Sequence, residues 1–101
     1  MAHQVVWLRA ALDDLEAIAD YIAENSPSYA SVVVEKVLHL SRDLADFPRV
    51  GRVVPEWGDD SIRERPIYSF RPIYRVQPDL VTVLGMIHGA RLLPETLRRR
   101  L

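Results

Sequence analysis

The feature that most constrains this chain is a change of period near its middle. From Leu8 to Phe47 the apolar residues recur every three or four positions, and from Ile62 to His88 they alternate. The first spacing sets Leu8, Ala11, Leu12, Leu15, Ile18, Ala19 and Ile22 on one helix face, with Arg9, Asp13, Glu16, Asp20 and Glu24 as a polar stripe. Asn25-Ser26-Pro27 interrupts it, offering Ser26 as an N-cap and Pro27 as a first helical residue. A second face follows in Ala30, Val33, Val34, Val37, Leu38, Ser41, Leu44 and Phe47, and Pro48 ends it. The three valines at 32–34 favour a strand locally, but the longer spacing outweighs them. Two helices joined by so short a turn make a hairpin whose shared apolar face needs a sheet against it. On that face Leu15 and Leu38 both read as core, where truncation to alanine costs about 2–5 kcal/mol.

The sheet is expected from the second half. Residues 62–67, 69–77 and 80–88 read as three strands of an antiparallel meander, with Pro78-Asp79 turning between the last two. Val5 to Leu8 is β-branched and aromatic, and reads as an edge strand of the same sheet. Residues 49–60, with Gly51, Pro55 and Gly58, read as a loop holding a brief extended piece at Val53-Val54. Pro72 sits awkwardly in mid-strand, because proline removes a ladder donor. The tail after Pro94 reads either as a final helical turn or as disorder, and its Arg98-Arg99-Arg100 run as solvating charge. The fold class is therefore α+β, an N-terminal strand, an αα-hairpin and a three-stranded antiparallel meander packed on the helices, in one domain spanning 1–101.

With 101 residues, 49% of them hydrophobic, the chain has material for one core and not two. No apolar run approaches the roughly 18 residues of a membrane span, and no basic segment followed by an apolar stretch opens the chain. Cysteine is absent, which removes disulfides and thiolate nucleophiles. The expected setting is the cytoplasm, without membrane association. Three scattered histidines give no metal-ligand spacing, and there is no glycine-rich phosphate loop, so neither a metal nor a cofactor is expected.

The net charge of −1 conceals a polarity. Residues 1–47 carry three Lys or Arg against eight Asp or Glu, whereas residues 48–101 carry ten Arg against six acids and no Lys. Arginine suits forked hydrogen bonding to carboxylates and phosphates. Within YSFRPIYRV, strand alternation sets Arg71 and Arg75 on one face with Ile73, and Phe70, Tyr74 and Val76 on the helix-facing side. Arg63 and Arg65 have the same parity, so a cluster of forked cations is expected on an open sheet face, with cross-strand pairing to Glu64 or Glu95 as the plainer outcome.

Several short motifs add a resemblance. Ala11-x2-Asp14-Leu15-x2-Ile18-x2-Tyr21-Ile22, Pro48-x2-Gly51-Arg52, Ile62-Arg63-Glu64, Tyr74-Arg75-Val76 and His88-Gly89-x-Arg91 occur in an order and spacing that resembles the RelE/ParE toxin superfamily, and its ParE branch in particular. Pro72 departs from the strand-forming aliphatic usual there. The resemblance implies a toxin of a type II toxin-antitoxin system, neutralised by a ParD-like antitoxin of ribbon-helix-helix type and able to enter a larger hetero-oligomer. ParE-like members act on DNA gyrase, whereas RelE-like members cut messenger RNA on the ribosome. An inactive relative that only binds its antitoxin is a third outcome.

Metal-independent RNA cleavage needs a base, an acid and cations converging on one phosphate. RelE-like nucleases typically supply lysines and a tyrosine near the C-terminus, but this chain has no lysine after Lys36 and no tyrosine after Tyr74. What remains for catalysis is His88, paired with Glu64 or Glu56, and Arg71. Inhibitory binding of gyrase is therefore the expected activity and ribonuclease the alternative. Arg63, Arg65, Arg71, Arg75 and Arg91 are the residues expected to meet antitoxin or target, so alanine at Arg63, Arg71 and Arg75 is expected to weaken antitoxin binding.

Overall fold

The computed structural model describes residues 2–89, 91 and 93–101. The order is β1 (Gln4–Trp7), α1 (Arg9–Ala23), α2 (Pro27–Asp46), β2 (Arg52–Val53), β3 (Ile62–Glu64), β4 (Phe70–Val76), β5 (Leu80–His88) and α3 (Glu95–Arg98). Ser26 caps α2 by accepting from Tyr29 N at 3.2 Å, with Pro27 in the first turn as its fixed φ favours. α1 has no side-chain cap; Leu8 N–H instead donates to Val83 O at 3.1 Å, so the sheet anchors the helix start.

The expected meander is the middle of a five-stranded sheet in the order β1-β5-β4-β3-β2. The first strand lies parallel to the last, Gln4 facing Leu80 and Trp7 facing Val83. The extended piece before Val54 pairs antiparallel with β3 as the far edge. β3 is shorter than the alternation suggests, and Pro72 is the reason. Arg65 N–H donates to Pro72 O at 3.3 Å, but Pro72 has no N–H to return, so pairing lapses after Glu64. Ile67 and Phe70 then exchange bonds of 2.9 and 3.0 Å around a tight tip, where Tyr68 adopts φ 53°.

Apolar side chains fill both sides of the sheet. On the helix side, Tyr74, Val76, Val81 and Val83 pack with Ala11, Leu40 and Leu44, and Phe70 and Met86 pack with Leu15, Ile22, Val33 and Val37. On the other side, Ile62, Ile73 and Leu84 gather under Val54 and Leu97, flanked by Trp57. The face expected to lie open is thus roofed by the loop after β2 and by α3. A bulge between Ile73↔Gly85 and Tyr74↔Val83 sets Leu84 into this outer cluster.

The second helix corrects one expectation. Its buried stripe runs Ala30, Val33, Val37, Leu40 and Leu44, and Leu38, one step off that line, is 45% exposed. Leu44→Ala should cost about 2–5 kcal/mol and Leu38→Ala less than about 1 kcal/mol in urea unfolding. Equal losses would place Leu38 in the core after all.

Candidate functional site

The charged side chains nominated from the sequence do not form one patch. β3 and β4 pair Glu64 with Ile73 and Arg63 with Tyr74. Glu64 therefore points to the outer face beside Arg71, while Arg63 points to the helix side with Tyr74. The shared parity assigned to the four arginines fails because β3 and β4 meet in a register that parity counted along the chain cannot supply.

Glu64 and Arg71 form the centre of a buried ionic network. Glu64 is 0% and Arg71 7% exposed. Arg71 donates through Nε to Glu64 Oε2 and through Nη2 to Glu64 Oε1 at 3.1 Å. Its outer edge forks onto Glu56, Nη1 to Oε2 at 2.8 Å and Nη2 to Oε1 at 2.9 Å, and Nη1 also reaches Arg91 O at 3.3 Å. Arg52 Nε donates to Glu64 Oε1 at 3.1 Å, and Leu93 N–H to Glu56 Oε2 at 3.2 Å. Two forked arginine–carboxylate pairs on one guanidinium are the strongest form such contacts take. They join β2, the loop after it, β3, β4 and the segment after β5. Among the described residues no buried side-chain nitrogen or oxygen lacks a partner.

The electrostatics follow from this geometry. Hydrogen bonding to Arg71 holds the Glu56 carboxyl down from its ordinary 4.5 to about 2, and the two carboxylates raise the Arg71 guanidinium further. Because the folded pKa of Glu56 lies below its unfolded value, its stabilisation is complete above about 4.5 and lost as pH falls toward about 2. Urea midpoints should fall through that window, and Glu56→Gln should flatten the fall. An identical slope in the variant would assign the acid sensitivity elsewhere.

Arg63 braces the loop before it. It donates through Nη1 to Gly51 O at 3.0 Å, through Nε to Asp60 O at 3.1 Å and through Nη2 to Asp60 Oδ1 at 2.8 Å. Arg65 is exposed and lines a cleft of about 510 Å³ between α2 and the β3–β4 tip, with Val32, His39 and Tyr68. Arg75 is half-buried beside Ile62 and Thr82. Arg91 is exposed in a separate groove of about 710 Å³ lined by Ile18, Tyr21, Met86 and His88. The two most central arginines of the expected patch are thus internal braces, and the other three lie apart.

His88 is exposed at the end of β5, its ring edge-on to Phe70 with centroids 5.5 Å apart. A cleft of about 360 Å³ brings it near Arg52, Tyr68, Ser69 and Arg71. Its expected partner Glu64 has both oxygens occupied by arginines. Sequence reading missed Glu56 and Arg52 as members of the network. Glu56 lies in a loop, where no period says which way a side chain turns. Arg52 was visible only as part of Gly51-Arg52.

Comparison with known proteins agrees with this architecture. The family described as ParE toxin of type II toxin-antitoxin system, parDE, matches residues 5–93. Toxin RelE2 of Caulobacter vibrioides is 37% identical over 92 residues, covering 88% of this chain and 98% of that protein. Among solved structures, the chromosomal ParDE toxin-antitoxin system from P. aeruginosa superposes with TM-score 0.68 at 22% identity, over 86% of this chain and 96% of that one. The toxin-antitoxin complex RelBE2 from Mycobacterium tuberculosis gives TM-score 0.58 at 22% identity, over 87% and 99%.

Proposed function

Because this chain belongs to the ParE toxin family of type II toxin-antitoxin systems, we propose that it poisons its target by binding, that the target is DNA gyrase, and that a cognate antitoxin holds it inactive. The carrying observation is the state of the residues that RNA cleavage would need. Glu64 is wholly buried with both carboxylate oxygens accepting from arginine, and Arg71 spends its guanidinium on Glu64, Glu56 and Arg91 O. A general base must reach the proton it removes, and a phosphorane-stabilising cation must face the phosphate. Neither side chain does. What is left is a rigid sheet with arginines directed outward at separate places, which suits recognition of a large surface better than chemistry at one atom.

An antitoxin partner is supported by the two similar structures, a ParDE toxin-antitoxin system and a RelBE2 toxin-antitoxin complex. The same reading puts the protein in the cytoplasm, where gyrase works; among the described residues no helix is long and apolar enough to cross a membrane. Arg65, Arg75 and Arg91 are the nominated residues best placed to meet antitoxin or target. The test is a gyrase supercoiling and cleavage assay with the purified protein. Cleaved DNA that accumulates with toxin and disappears on adding antitoxin is the expected result, and unaffected gyrase overturns it.

One observation favours ribonuclease as the second reading: the cleft holding His88, Ser69 and the outer side of Arg52. If gyrase is untouched, messenger RNA cleavage on programmed ribosomes that His88→Ala abolishes would establish it.

A further inference from the structure

Tyr68 holds a backbone conformation that its side chain does not favour. Ile67 and Phe70 exchange both main-chain bonds, so Tyr68 and Ser69 form a two-residue hairpin turn. Tyr68 takes φ 53°, the one positive φ at a non-glycine position among the described residues. Turns of this kind take glycine, asparagine or aspartate there, because a bulky side chain crowds its own backbone. The ring gains little burial in return, being 55% exposed and meeting Tyr29 edge-on with centroids 5.7 Å apart. Strain kept at an exposed position points to a contact outside the chain.

The surroundings say what kind of contact. Tyr68 stands at the rim of the cleft of about 360 Å³ that also holds Arg52, Pro66, Arg71 and His88, and none of the described residues lining it is acidic. Arg71 is spent on Glu64 and Glu56, but Arg52 is not. Its Nε donates to Glu64 Oε1, which fixes the guanidinium, while the side chain is 63% exposed and its two Nη atoms have no partner among the described residues. The cleft thus presents an aimed fork of N–H donors beside the exposed surfaces of Tyr68 and Pro66. An anionic group next to an aliphatic one fits it.

Acidic peptides and nucleic-acid strands both carry anions beside apolar surface, and the charge around the cleft decides between them. A strand needs cations spaced along its backbone. On the far side of Tyr68 the next cleft sets Glu35 and Asp43 against Lys36 and Arg65, so the positive track stops at the hairpin tip. A peptide needs only a forked cation and an apolar seat. We propose that this cleft receives an acidic segment of the antitoxin, one carboxylate forked on Arg52 and a neighbouring aliphatic side chain laid against Tyr68 and Pro66, an assignment that rests on the chain being an antitoxin-neutralised toxin.

Calorimetric titration of the purified cognate antitoxin into wild type, Tyr68→Gly and Arg52→Gln at low and high salt tests this. Glycine suits φ 53°, so Tyr68→Gly removes the ring without asking the turn to change. It should bind antitoxin at least about tenfold more weakly while melting near the wild-type temperature. Arg52→Gln should lose as much and respond less to salt, and Arg52→Lys should recover only part, since an ammonium does not fork. Should Arg52→Gln fail to fold, because Glu64 loses a donor, Tyr68→Gly carries the test alone. Folded Tyr68→Gly with wild-type affinity overturns the proposal and leaves an antitoxin-binding toxin, and a lower melting temperature beside that affinity would give the Tyr29 contact as the reason for the ring. Antitoxin that ignores wild type removes the toxin-antitoxin reading and the proposal together. A labelled single-stranded oligonucleotide that binds wild type and not Tyr68→Gly overturns it by giving the cleft to nucleic acid.

Discussion

Arg71→Ala should cost about 3–5 kcal/mol, the largest loss expected from any single charged residue of this chain, because it leaves Glu64 buried without its main counter-charge. Glu64 is 0% exposed and cannot turn to water, and its remaining partner Arg52 reaches only Oε1. A domain of this size gains or loses about 4–8 °C in melting temperature per kcal/mol. The variant should therefore melt tens of degrees lower, if it folds at all. The control separates an unpaired charge from lost packing. In Arg71→Met with Glu64→Leu the whole buried pair is replaced by apolar groups, which is often neutral or stabilising elsewhere. The double variant should recover most of the loss, while Arg71→Met alone should not. Thermal and urea unfolding of the three proteins would decide it, and equal stability of the two Arg71→Met proteins would show that Glu64 is not the penalty.

This changes how alanine substitutions across the sheet should be read. Exchanging Arg63, Arg71 and Arg75 together would weaken antitoxin binding whether or not any of them touches antitoxin, since the first two hold the fold. Arg65, Arg75 and Arg91, which have no such internal duty among the described contacts, give the interpretable set.

The second large effect should come from Gly51→Ala, at about 3 kcal/mol. A Cβ at Gly51 would lie 2.4 Å from Glu64 O and 2.4 Å from the Tyr74 hydroxyl. The first is main chain of β3, fixed by pairing with both neighbours, and the second belongs to a side chain that is 0% exposed. Neither can yield cheaply, and overpacking of this kind costs about 1–3 kcal/mol before other losses. Displacement would also break the bond from Gly51 N–H to the Tyr74 hydroxyl, 2.9 Å long, a further loss of about 1 kcal/mol. Gly85→Ala meets contacts equally short, but these are the ends of Leu97, Arg100 and Asp14 side chains, so it should be the milder substitution. Denaturation midpoints that rank Gly85→Ala below Gly51→Ala would contradict this argument.

Much of the fold was legible because its signals are local. Ser26-Pro27 marks a helix start through one side-chain hydrogen bond and one fixed dihedral angle. The move from three-and-four spacing to alternation marks where helices give way to strands. The edge position of β1 followed from its composition and place before a helix. The site was far less legible. Alternation correctly assigned Arg71 to the face opposite Phe70 and Tyr74, but it says nothing of what covers that face. Burial of Arg71 depends on Glu56, whose loop has no period, and on the chain after β5 at Arg91, while Val54 and Leu97, which cover the apolar part of that face, come from either side of the meander in sequence. Pro72 was recognised as awkward, yet its effect fell on the neighbouring strand, where Arg65 finds a carbonyl but no returning donor. Leu38 fell within the apolar spacing and outside the contact, since a helix stripe is narrower than the pattern that announces it.

The parallel pairing of β1 with β5 also governs when this protein comes into being. Gln4 faces Leu80, so the first strand to leave the ribosome has no partner until the fifth has been made. Until then the nascent chain presents a helical hairpin with its apolar side uncovered. Contacts so distant in sequence form late and slowly, and chains that expose such surface during synthesis invite capture by other proteins. Toxicity that depends on the assembled sheet would thus arrive only once β5 has been made, which gives an antitoxin already present time to meet the toxin as it folds.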